Sequence, residues 1–142
     1  MPRNPYISLR AFGLAIALVA AHAAQAAAEA PTTQIVEKVM KARWERPAST
    51  STPRSTLTIN SVRLGKAYPA TVQEVQVEGI PKQEMVTPAV IDFTVRTYFN
   101  SETQAVRRVR EARVYKDKMD DWAVMTGSPK GADETTKEPA VK

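Results

Sequence analysis

Six cations crowd one short stretch: Arg107, Arg108, Arg110, Arg113, Lys116 and Lys118, offset only by Glu111 and Asp117. Cationic side chains at this density suit an anionic partner, such as a phosphate-bearing polymer, an acidic protein or an anionic membrane surface. On a strand, Arg108 and Arg110 share one face, and Arg107 and Arg113 point the other way. The competing reading is a solvated sheet face, with arginines paired across strands to carboxylates such as Asp92. A second set, Asp92, Arg96 and Tyr98, has residue types suited to proton transfer and charge pairing. Asp92 and Arg96 would lie about 13 Å apart along a strand, too far for a direct pair. Asp120 and Asp121 fall in a turn, where acidic residues serve conformation, and a hard-cation site would need further converging oxygens.

What the chain lacks excludes much chemistry. It has no cysteine, so no disulfide, thiolate nucleophile or Cys-ligated metal can form. Its only histidine is His22. His22 lies in a stretch that reads as a processing segment: Arg3 and Arg10 precede an apolar run at 11–21, and A-x-A sites follow at 24–26 and 26–28. Residues 1–28 therefore read as a signal peptide cleaved after Ala26 or Ala28, which predicts a periplasmic or secreted protein with no membrane span after cleavage. The formal charge is +5 before cleavage, with a sequence pI near 9.6. The mature chain keeps 18 basic and 15 acidic residues and has neither His nor Cys. Ser-His-Asp and Cys-His catalysis, His-ligated metals and an imidazole pH switch are thereby excluded. Export, and a basic run in which Tyr115 is the lone aromatic, argue against nucleic acid as partner.

The elements that must position these residues follow from periodicity. Ala89, Ile91, Phe93, Val95 and Phe99 alternate with Asp92, Thr94, Arg96, Tyr98 and Asn100, which predicts a central strand, apolar on one face and polar on the other. Ile35, Val36, Val39, Met40 and Trp44 follow helical spacing, with Thr33 as the expected N-cap and Pro47 as the stop. Their apolar face is expected to land on Ile91, Phe93, Val95 and Phe99. Residues 57–64 read as a strand whose parity switches at Asn60-Ser61, a bulge signal. Residues 71–77 allow either a strand or a short helical turn. Residues 104–116 are ambiguous as well. Ser101 and Gln104 make a capping-box pattern for a helix, but Val106, Ala112 and Val114 share strand parity, and a strand pairing back on the central one is preferred. Trp122 to Thr126 is read as the last strand, and 128–142 as a disordered tail, because that segment has almost no large apolar side chain. The fold class is α+β: an N-terminal helix packed on a curved antiparallel sheet of about four strands, over 32–127.

The closing hairpin, Val114-Tyr115-Lys116-Asp117 and then Asp121-Trp122-Ala123-Val124, together with the helix-then-meander order, resembles the cystatin-like superfamily, including NTF2-like domains. The resemblance implies a helix lying in the concave face of the sheet, and pairing of two copies through exposed sheet faces. Related enzymes place Asp, Tyr or His in the cone, for which Asp92 and Tyr98 are the nearest types, with Arg96 as charge partner. Cystatins insert a Q-x-V-x-G hairpin loop into proteases. Val75-Gln76-Val77-Glu78-Gly79 keeps the Val and Gly but has Val75 where the Gln belongs, and no proline precedes Trp122. The reading reached is an exported, non-catalytic binding or accessory domain acting through its sheet face or cone. It carries no cofactor and no metal. Arg96, Arg108, Arg110, Asp92 and Tyr98 are the candidate contacts, with an acidic protein, an anionic surface or a second copy as partner. The alternatives are an NTF2-like small-molecule enzyme or ligand binder, and a cystatin-type inhibitor.

Overall fold

The computed structural model describes residues 29–140. The leader and its cleavage sites lie outside them. Helix α1 (Thr33–Trp44) forms over the predicted span. Its N-cap is Thr32 rather than Thr33: the Thr32 hydroxyl accepts from the Ile35 N–H at 3.2 Å. The chain turns extended at Glu45, and Arg46, the residue before Pro47, pairs with Ser55 instead of continuing the helix.

Strand β1 (Arg54–Leu64) follows, then a two-residue strand β2 (Tyr68–Pro69) and a short helix α2 (Val72–Gln76). Next come β3 (Met85–Tyr98), β4 (Glu102–Lys116), β5 (Trp122–Pro129) and β6 (Glu134–Pro139). The strands form one antiparallel path, β1-β3-β4-β5. The two short strands extend its edges: β2 continues beside β3, and β6 beside β4. The result is α+β, four long ribbons with two broken edges. The bulge expected at Asn60-Ser61 is present, as a register shift between Ile59 and Ser61.

The unbroken pairing of β3 with β4, from Thr87↔Val114 to Tyr98↔Thr103, sets the two faces of the sheet. Ala89, Ile91 and Phe93 share the inner face with Ala112, Val114 and Val124, and α1 lies on it. Val36, Met40, Ile91 and Phe93 have no exposed surface. Burying each such side chain contributes about 1.5–3 kcal/mol, enough to hold a helix too short to persist alone in water. Trp44 ends the helix against Phe93, ring centroids 5.7 Å apart. Phe99, expected beneath the helix, lies beyond the end of β3 and is 43% exposed. The opposite, outer face carries its own smaller core at one end: Ile80, Val86 and Tyr115, with Tyr68, Ala70, Ala123 and Met125 packed around them.

One open alternative is decided, and one segment departs from the expectation. Residues 71–77 hold α2, started by a capping box between Thr71 and Glu74. The tail read as disordered is ordered: β5 runs to Pro129, and β6 pairs with residues 102–107 of β4. Low hydrophobicity argues against a new core, but β6 needs none. It completes the hydrogen-bond ladder of an existing strand and places Glu134 directly across from Arg107. Between them, 130–133 step outward, with Gly131 at φ +138°, a conformation open only to glycine. Among the described residues no helix is long and apolar enough to cross a membrane.

Removing residues 131–142 tests the ordered tail. Amide hydrogen exchange should then speed up selectively at the ladder amides of 102–107, while the β3-facing amides of 108–116 keep their protection. Unchanged exchange at 102–107 would mean that β6 does not form.

Candidate functional site

The register separates the cations that the chain places side by side. Arg107 sits across from Thr94, on the outer face with Asp92. Its Nε and Nη2 donate to the two Asp92 carboxylate oxygens at 3.0 and 2.6 Å, a bidentate fork. Asn60, lifted by the bulge, donates to Asp92 at 2.9 Å and to Thr94 at 3.1 Å. The Arg107 hydrogen bonds hold the Asp92 carboxyl below its ordinary range, and raise the guanidinium in turn. Glu134 of β6 stands 3.6 Å from the same guanidinium. Arg96 lies on this face as well, 3.8 Å from Glu138. Tyr98 hydrogen-bonds Thr56 at 3.2 Å beneath the Arg54 guanidinium.

Arg108 and Arg110 point to the other side. They sit across from Phe93 and Ile91, on the helix face. Their shared partner is Asp133, from the step between β5 and β6: Arg108 Nε at 3.1 Å and Arg110 Nη2 at 2.7 Å. Arg108 also lies 5.3 Å from the Trp44 ring centroid. Side-chain exposure is only 29% for Arg108 and 18% for Arg110. Of the candidate contacts Arg96, Arg108 and Arg110, the last two are therefore corrected: they are largely covered rather than exposed. Arg96 and this pair occupy opposite faces, and the tail supplies a carboxylate to each. The basic run takes the form of cross-strand pairing, with Asp92 among the partners as the competing reading required.

The catalytic arrangement suggested by the cone is also absent from its place. Asp92 and Tyr98 face away from α1, and Val36 and Met40 fill the space against the inner face. The segment compared with the cystatin loop is helical at Val72–Gln76, not the tip of a hairpin. Asp120, at φ +64°, and Asp121 close the β4–β5 turn, in which the Asp117 carboxylate accepts from the Met119 and Asp121 N–H groups at 2.8 and 3.1 Å.

Sequence reasoning missed a polar cluster at the far end of the outer face. Glu74 is buried on α2. It accepts from the Tyr68 hydroxyl at 2.5 Å and the Thr71 N–H at 2.8 Å, and Arg113 Nε lies 3.2 Å away. Arg113 also pairs with Glu78. Burial pushes the Glu74 carboxyl up, but the Thr71 and Tyr68 hydrogen bonds and Arg113 outweigh it, so the group lies below its ordinary range. Burial and Glu74 together raise the Tyr68 phenol. The signal was legible as Thr71-x-x-Glu74, a capping-box spacing.

Beside this cluster a groove of about 700 Å³ crosses the outer face. Pro88 and Val90 lie under it, Met125 and Arg113 flank it, and Tyr68 and Glu78 stand at one end. Most of its charged rim is self-paired: Lys130 reaches Glu111 at 2.6 Å, and Arg113 is held by Glu74 and Glu78, whereas Arg63 lines the β1 end without an ion-pair partner among the described residues. It is thus a shaped, weakly polar trough with one unpaired cation at its β1 end. Compared with protein-family models, with curated proteins and with solved structures, the chain matches none.

The depressed carboxyls carry a pH signature. A group with a folded pKa below its unfolded value stabilises above the unfolded pKa and loses that contribution as pH falls through the folded one. Asp92 and Glu74 should therefore leave stability flat from about pH 7 to about pH 5 and lower it below about pH 4. Denaturant midpoints across this range check it. Glu74→Gln, which removes the charge of the buried acceptor that faces half-buried Arg113 and Tyr68, should cost about 1–3 kcal/mol and make the acid limb shallower.

Proposed function

We propose that this chain is an exported, non-catalytic binding or accessory domain, of cystatin/NTF2-like layout, that engages a partner protein through the outer face of its sheet. The observation that carries this reading is the division of the faces. α1 occupies the inner face, with Val36 and Met40 fully buried, while the outer face offers the groove over Pro88 and Val90. The groove touches all four long strands, so at 4.7–4.9 Å per strand it spans about 15 Å. That is long enough for a few residues of a partner segment. Its largely paired rim favours an apolar segment, since an incoming polyanion would meet only Arg63 unpaired and would have to displace the carboxylates already bound to Arg113. Exposed pairs are individually worth only about 0–1 kcal/mol, so they set selectivity more than stability.

Placing a photo-crosslinking phenylalanine analogue at Val90 tests the groove, with the same probe at exposed Lys118 as control. In cells that export the protein, position 90 should give one adduct of defined mass, which disappears when Met125→Glu is added. Mass spectrometry of the same material should find the mature chain starting at Ala27 or Glu29. Equal adducts from positions 90 and 118, or none from position 90, would rule the groove out. A retained leader would rule out cleavage and leave the groove to be judged by the adducts.

A further inference from the structure

The cations of β4 are paired, but those beside β1 are not. From 46 to 73 the chain carries Arg46, Arg54, Arg63 and Lys66 and no Asp or Glu. None of the four has an ion-pair partner among the described residues. They flank an edge of the sheet, because β1 ends the strand path.

Much of that edge is open. Ser55 exchanges backbone hydrogen bonds with Arg46, at 2.9 and 3.1 Å, so its polar groups turn away from β3. Leu57 does the same, its N–H donating to the Glu45 carboxylate at 3.3 Å. Antiparallel pairing alternates, so Ile59 turns outward too. At the other end the Gly65 N–H donates inward to the Pro88 carbonyl at 2.7 Å. Counting back across the bulge at Asn60, Val62 and Leu64 turn outward. Ile59, Val62 and Leu64 thus present unladdered backbone groups over 58–64, about 20 Å of edge. Their side chains lie on the inner face, half-buried beside the core, whereas Arg54 and Arg63 lie on the outer face across from Tyr98 and Val90.

We propose that the open edge of β1 docks an extended acidic segment of another protein, which adds to the sheet as a further strand. Main-chain hydrogen bonds hold such a segment, and alternate side chains give specificity. Its residues on one face pack apolar groups against Ile59, Val62 and Leu64. Those on the other face carry carboxylates toward Arg54 and Arg63, with Arg46 and Lys66 near the two ends. The same cations turn away a second copy of β1, whose edge carries like charge. The partner is thereby acidic and alternating, and it runs along the β1 edge, meeting the outer groove only at Arg63.

A fluorescein-labelled peptide of about ten residues alternating glutamate and valine tests the proposal against the exported chain. It should bind and slow amide exchange at Ile59, Val62 and Leu64. Arg54→Glu with Lys66→Glu, exposed positions outside the groove that leave the core intact, should weaken binding about tenfold or more. A peptide of the same charge interrupted by prolines should bind at least about tenfold more weakly, since it cannot complete a ladder. Glu111→Arg, which makes the groove rim more basic, should change nothing. The proposal is overturned by no binding up to about 1 mM, by equal binding of the proline peptide, by tighter binding to the Glu111→Arg variant, or by a dimer whose β1 amides are protected before peptide is added.

Discussion

The continuous register between β3 and β4 is the constraint on which the rest depends. With Thr87 opposite Val114 and Tyr98 opposite Thr103, every side chain of both strands is assigned a face. Ile91 and Phe93 meet α1, and Asp92 meets Arg107. A slip of β4 by one residue would put Arg107 against the helix core and Val114 in water, so the buried face itself enforces the register. The remaining strands then have little choice. β1 lies along one side of β3, and β5 and β6 follow one another along the free side of β4.

The electrostatics follow from the same register. Arg107 is shared between Asp92 and Glu134, Arg108 and Arg110 between them hold Asp133, and Arg113 holds Glu74 and Glu78. Such pairs contribute modestly to stability when exposed. Their larger consequence is that a dense basic stretch is spent within the fold, while the sparser cations at Arg46, Arg54, Arg63 and Lys66 have no ion-pair partner among the described residues. Local charge density in a sequence is thus a poor guide to free charge. The distance to the nearest carboxylate in the fold decides it.

Most of the scaffold was legible because periodicity reports burial directly. The alternation of 89–98, the helical spacing from Val36 to Trp44 and the parity break at Asn60-Ser61 all reappear as structure. Residues 104–116 resolved to a strand, and there one available clue went unused. Val106, Ala112 and Val114 share parity with Arg108 and Arg110, which places both arginines on the helix side. β6 was not legible, because its stability comes from an edge already built and from charges it meets there. The choice between strand and helical turn at 71–77 stayed open for a related reason. The spacing of Thr71 and Glu74 matches that of Ser101 and Gln104, and only tertiary packing of Ile80 against Val86 and Tyr115 decides which one caps a helix.

The central claim is that the arginines of β4 are consumed internally while those beside β1 are free. Solvent exchange of arginine Nε–H protons, followed by NMR near neutral pH, tests it directly. Arg107, Arg108 and Arg113 each hold a carboxylate through Nε at 3.0–3.2 Å. Their Nε–H signals should be dispersed and slow to exchange, whereas those of Arg46 and Arg63 should be averaged and fast. Exchange at Arg107 and Arg108 as fast as at Arg63 would contradict the account.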